Sequence, residues 1–121
     1  MSRDDLIRLH HMLEEAKEAS ASVLGRTRSD LDHNHVWVMG LVKCVEIIGE
    51  AAAHIGETTR QRYPQIPWTQ LVGMRNRLVH AYFNIDLEQV WKAITEDLPP
   101  LIAQLEWILD REDVTGTQRR E

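Results

Sequence analysis

Apolar residues near the start of the chain recur at steps of three and four: Leu6, Leu9, Leu13, Ala16, Ala19 and Val23. That spacing draws one stripe along a helix, which the pattern ends near Gly25. Ser2 followed by Asp5 reads as a capping box with Asp in the position usual for Glu. After a short polar link, Ser29 or Asp30 is placed to cap a second, longer helix running to about Ile55. Its polar residues Lys43, Glu46, Glu50, His54 and Glu57 form one narrow stripe, so it needs cover on more than one side. Gly40, Gly49 and the run Ala51, Ala52, Ala53 admit close backbone approach, although each glycine lowers intrinsic helix stability. A central position or a subunit interface is expected for it.

The segment RYPQIPW breaks the pattern, because Pro64 and Pro67 each disfavour helix in the residue before them. A third helix is predicted from about Trp68. In NIDLEQVW, Asp86 is a candidate N-cap with Gln89 at the capping-box position. Leu87, Val90, Trp91, Ile94, Leu98, Leu101, Leu105 and Ile108 continue an apolar stripe for the last helix. Pro99 and Pro100 fall inside that helix and remove two donors, which predicts a kink near Leu98. The fold expected is all-α: an up-and-down four-helix bundle with a short extra helix and a Pro-kinked last helix. A single domain over residues 1–111 is expected, with 112–121 as a polar, flexible tail.

Composition narrows the class. At 121 residues the chain suits one domain with a core of its own. The single cysteine, Cys44, cannot form an internal disulfide, and on the apolar side of the second helix it is a poor thiolate candidate. The opening MSRDDLIRLH has neither the basic nor the apolar region of a secretion signal, so a cytoplasmic location is expected. Charged residues interrupt the most apolar stretch, Val36 to Ile55, which excludes it as a membrane span. The net charge of −5 argues against a protein coated in positive charge. Its distribution is uneven, however: from Thr58 to Phe83 there is no Asp or Glu, while Arg60, Arg62, Arg75 and Arg77 all fall there. An anion-binding surface is the sharper reading of that island, and a chance gap in a charged surface the blander one.

Within the island lies MRNRLVHAYF, Met74 to Phe83. At 100° per residue, Leu71, Met74, Leu78 and Tyr82 share the core-facing side of the third helix, with Arg75 at its edge. Asn76 and His80 stand one turn apart on the polar side, where the amide could bond the imidazole and select its tautomer. Arg75 and His80 are about 140° apart on this helix. They converge only if Arg75 reaches around, the helix ends near His80, or a second subunit contributes. His10, His11, His33, His35 and His54 are scattered, and no metal site or cofactor is expected.

Four ordered blocks, IGEAA at Ile48, PQIPW at Pro64, MRNRLVHAYF at Met74 and VWKAITEDLPPL at Val90, resemble the HepT-like subgroup of HEPN domains over nearly the whole chain. The resemblance implies the toxin half of a type VII-like toxin–antitoxin pair: a metal-independent endoribonuclease whose homodimer lines one cleft with two copies of an arginine–four residues–histidine motif. It matches Arg75 and His80 to the catalytic pair, Asn76 to the polar position beside the arginine, and Tyr82 to the tyrosine nucleotidylated by an MNT-type nucleotidyltransferase antitoxin. Ala81 departs from the acidic or polar residue common at that position.

The chemistry is compatible with these roles. RNA carries its own nucleophile in the 2′-hydroxyl, so cleavage needs a group to move protons and a cation for the charge developing on phosphate. His80 and Arg75 suit those tasks, and Arg60, Arg62 and Arg77 are candidates to hold the RNA backbone. An adenylyl group on Tyr82 would add bulk and negative charge two residues from His80. The alternative reading is a non-catalytic helical module that binds a nucleotide or RNA, or forms a dimer, and docks a nucleotidyltransferase.

Overall fold

The Ser2 hydroxyl accepts the Asp5 amide N–H at 3.1 Å, and helix α1 (Arg3–Ser22) follows. The computed structural model describes residues 1–81 and 84–120, with side chains through residue 113. The tail expected from residue 112 therefore falls largely outside the described side chains. Along α1, Leu9, Met12, Ala16 and Ala19 are buried, and Leu6 and Leu13 flank them half-buried. The stripe is the expected one, centred slightly toward Met12. Gly25, at φ +74°, turns the chain out of the helix through the left-handed region.

Two expected caps fall elsewhere. Thr27 and Asp30 close a capping box on a single 3₁₀ segment, Arg28–His33, rather than on the long helix. Helix α2 (His35–Ala53) starts after Asn34, whose side-chain oxygen accepts the Trp37 N–H at 3.0 Å. The sequence offered several equivalent capping residues within a few positions, and local preference alone does not choose among them. The Asp5 carboxylate likewise leaves its own helix. It accepts from the Gly56 N–H at 3.2 Å and the Thr59 hydroxyl at 2.7 Å, and so caps the short helix α3 (Glu57–Arg62), whose own cap residue is a glycine.

Helix α2 packs between α1 and α4 (Trp68–Leu78). At Gly49 a Cβ would lie 2.9 Å from the Leu71 carbonyl oxygen, so the α2–α4 approach depends on the absent side chain. Trp68, Leu71, Met74 and Leu78 are the buried side of α4.

The chain after Leu78 is not helical. Strands β1 (Val79–Ala81) and β2 (Asn84–Ile85) pair antiparallel, and Tyr82 and Phe83 between them lie outside the described residues. Asp86 then caps α5 (Leu87–Lys92), its Oδ1 accepting the Gln89 N–H at 3.1 Å, as expected. Just before Leu98, where a kink is expected, the helix changes its winding. Residues Ala93–Asp97 widen into a π-helical segment before α6 (Leu98–Arg120). The rings of Pro99 and Pro100 would clash with carbonyls four residues earlier, and the wider turn moves those carbonyls aside.

The result is an all-α four-helix bundle built by α1, α2, α4 and the α5–α6 rod, with α3 as the extra short helix. Val45, Ile48, Leu78, Ile94, Leu98, Leu105 and Ile108 lie at its centre. Among the described residues no helix is long and apolar enough to cross a membrane.

Candidate active site

Helix α4 stops at Leu78 because the next segment folds back on itself. The Leu78 carbonyl accepts the Asp86 N–H at 2.7 Å, and Val79 pairs with Ile85. The next pair is Ala81 with Asn84, so the register shifts and His80 is the extra residue on its strand. A bulge of this kind re-aims the side chain it carries. The angular separation of Arg75 and His80 on a continuous helix therefore does not apply, since His80 leaves the helix altogether.

Both residues line one cleft of about 490 Å³. Helix α2 supplies His35, Met39, Val42 and Glu46 to its wall, α4 supplies Arg75, and the hairpin supplies Val79, His80, Ala81 and Ile85. The Arg75 and His80 side chains are about half exposed, at 46% and 50%, so an anion can reach either. Arg75 Nε lies 3.9 Å from Glu46 Oε2, within ion-pair range and beyond a hydrogen bond. The other Glu46 oxygen takes Lys43 Nζ at 3.0 Å.

His80 Nε2 lies 3.2 Å from Asp86 Oδ2. The hydrogen bond from the Gln89 amide, followed by that from the His80 ring, holds the Asp86 carboxyl below its ordinary range, so it is ionised near neutrality. Asn76 is exposed on α4 and does not line the cleft. The imidazole is met by Asp86 rather than by the Asn76 amide.

The basic island separates in space. Arg60 folds over the C-terminal end of α2, donating to the carbonyls of Ala52 at 2.9 Å and Ile55 at 3.2 Å. Arg62 lies over the Tyr63 ring and 3.7 Å from the buried Glu112, to which the Tyr63 hydroxyl also donates. Arg77 turns to the far side of α4 and pairs with Asp97 at 3.2 Å, lining a second cavity of about 720 Å³. Of the four arginines only Arg75 faces the cleft. Tyr82, two residues from His80, lies outside the described residues.

Three residues carry no signal in the motif itself: two line the cleft, and Asp86 stands behind it, against His80. Glu46 belongs to the polar stripe of α2, His35 to a scattered set of histidines, and Asp86 reads as a helix cap. Of these, Asp86 alone had a local clue: an N-cap six residues after His80 leaves room for a tight return and no more. Chemically, the cleft offers a guanidinium for an anion and an imidazole for moving a proton, the imidazole backed by the Asp86 carboxylate.

Comparison with known proteins gives a consistent picture. The sequence profile described as "Ribonuclease HepT-like" matches residues 12–108. The chain is 33% identical over 104 residues to "Putative RNase MJ1380" of Methanocaldococcus jannaschii, covering 86% of this chain and 95% of that protein. It is 32% identical over 104 residues to "Putative RNase TTE0752" of Caldanaerobacter subterraneus, covering 86% and 93%. It is also 39% identical over 66 residues to "Probable ribonuclease HepT" of Thermococcus cleftensis, covering 54% and 60%. No solved structure matches the chain.

Proposed function

We infer the function from the premise that this chain belongs to the HepT-like ribonuclease family: it is a metal-independent endoribonuclease that cleaves RNA with Arg75 and His80. The observation that carries this reading is their placement in one open cleft although they are not on one helix face. In the proposed step, His80 takes the proton of a 2′-hydroxyl and that oxygen attacks the adjacent phosphorus. The bond to the 5′ oxygen breaks, that oxygen takes up a proton, and a cyclic phosphate is left. Arg75 meets the charge that builds on the non-bridging oxygens, for which its forked donors are suited. Asn76 stands beside Arg75 on the exposed side of α4, where it can contact the same RNA outside the cleft.

The working unit is proposed to be a homodimer. Met39, 44% exposed, lines the cleft on α2; Val36, 82% exposed, follows the cleft residue His35, and Gly40 beside Met39 has open space where a Cβ would be. An apolar strip of this kind is costly to leave in water and adjoins the site two copies would share. We further propose a toxin–antitoxin role in which a nucleotidyltransferase partner modifies Tyr82. The tyrosine oxygen attacks the α-phosphorus of ATP, its proton passes to the transferase, and pyrophosphate leaves. The phosphodiester charge two residues from His80 then opposes RNA phosphate.

The test is cleavage of total RNA in the presence of chelator by the unmodified protein and by His80→Ala. Loss of cleavage of at least about 10²-fold in the variant is expected. A folded, nucleotide-free protein that cuts nothing would shift the reading to a binding module.

A further inference from the structure

The hairpin that ends α4 brings a carboxylate to the imidazole by a route that leaves it little freedom. Three contacts fix Asp86. Its N–H is held by the Leu78 carbonyl at 2.7 Å, its Oδ1 by the Gln89 N–H at 3.1 Å, and its backbone by the start of α5. The remaining oxygen, Oδ2, points to His80 Nε2 at 3.2 Å. His80 in turn is the bulged residue of β1, so its ring departs from the ladder and lines the cleft while its edge meets Asp86.

An ionised carboxylate only accepts hydrogen bonds, so the ring nitrogen facing it must carry a proton. In the neutral imidazole that leaves the lone pair on Nδ1. Resting on the ribonuclease reading above, we propose that Asp86 is a positioning residue: it holds His80 in the Nε2–H tautomer and presents Nδ1 as the base that takes the 2′-hydroxyl proton. Asp86 thus has two roles in one side chain, cap of α5 through one oxygen and orienter of the base through the other. The other charged or titratable groups facing His80 across the cleft are Arg75 from α4 and Glu46 and His35 from α2. Among the described residues none of these three hydrogen-bonds the ring, whereas Asp86 does.

The two roles can be separated experimentally. Asp86→Asn keeps a capping oxygen for the Gln89 N–H but turns an amide N–H toward Nε2, which then has to accept and so favours the opposite tautomer. Asp86→Ser keeps a capping hydroxyl and removes the carboxylate. Loss of the tautomer-setting carboxylate in a buried serine-protease triad costs about 10⁴-fold. This pair is half exposed, so about 10- to 100-fold in kcat is expected for both variants, with RNA affinity and melting temperature close to the unmodified protein. The ring nitrogens of His80, assigned against His80→Ala in ¹⁵N spectra above the histidine titration range, should show the Nε2–H form in the unmodified protein and its loss in Asp86→Asn.

Reduced kcat together with the tautomer change supports the proposal. Cleavage that depends on His80 but is indifferent to Asp86→Asn overturns it while leaving the ribonuclease reading intact. Cleavage indifferent to His80→Ala overturns both. A fall in kcat accompanied by an equal fall in folded fraction, with the ring nitrogens unchanged, assigns Asp86 to capping alone and also overturns it.

Discussion

Gly49→Ala and Gly73→Ala are the same chemical change in two helices of the bundle, and the structure predicts opposite signs. In both, alanine gains about 0.8–1 kcal/mol of helix propensity over glycine. At Gly73 the added methyl meets nothing within 4 Å, so the gain stands. At Gly49 it meets the Leu71 carbonyl oxygen at 2.9 Å and the Val72 carbonyl oxygen at 3.5 Å. Ordinary contact needs roughly another half ångström at the closer atom, and a helix backbone cannot rotate away as a side chain could. Overpacking of this kind costs about 1–3 kcal/mol, which leaves Gly49→Ala a net loss of up to about 2 kcal/mol. For 121 residues the unfolding entropy makes 1 kcal/mol worth about 4 °C. Thermal melts by circular dichroism at matched protein concentration should therefore place Gly49→Ala as much as about 8 °C below the parent and Gly73→Ala about 3–4 °C above it. The contact also sets how far Glu46 on α2 stands from Arg75 on α4, so Gly49→Ala should lower cleavage at temperatures where it is still folded. Equal melting temperatures for the two variants would refute the close approach.

Two further outcomes are expected, one at the site and one at the core edge of α2. Arg75→Lys keeps the charge but loses the forked donor pair, so cleavage should fall about 10- to 100-fold while the salt dependence of RNA binding is unchanged; a lysine variant at parental rate would rule out a bidentate role. Cys44 should be nearly inert in the folded protein, because burial, with Glu15 adding to it, pushes its thiol up to about 12. At pH 8 the scarcity of thiolate, partly offset by its higher nucleophilicity, predicts reaction with an aromatic disulfide about 50- to 100-fold slower than after unfolding. The folded state holds this proton more tightly, so the contribution to stability is complete below about pH 9 and is lost as pH rises toward the folded value.

What the sequence shows and what it hides divide along a physical line. The helical stripes of α1, α2 and α4 follow from spacing within a few residues, and the structure buries nearly the positions the spacing names. Fold class and the presence of Pro99 and Pro100 in the last helix were legible for the same reason. The hairpin after Leu78 was not. Val79 to Ile85 is too short for strand alternation to register, and its stability comes from a carbonyl, Leu78, and a cap, Asp86, that each look complete in their own helix. The motif residues were visible by type, yet their geometry depends on that break. Asp5 illustrates the same limit at longer range, since its partners Gly56 and Thr59 lie more than fifty residues away.

The basic island shows the same limit for charge. A gap in acidic residues along the chain suggests four arginines acting together, but charge neighbours in sequence are not neighbours in space. Arg60 hydrogen-bonds the end of α2 and Arg77 hydrogen-bonds Asp97, while Arg62 is paired with Glu112 over an aromatic ring. Each is held where the fold needs a cation. Arg75 differs: its acidic neighbour Glu46 lies at 3.9 Å, near enough to hold the guanidinium over the cleft and too far to occupy its donors. Glu46 is itself drawn toward Lys43 at 3.0 Å, which weakens its grip further. An incoming phosphate therefore does not have to break a formed hydrogen bond to engage Arg75, as it would at Arg60 or Arg77. Position in the cleft and incomplete pairing select the same arginine, and the charge pattern alone could not have separated it from the other three.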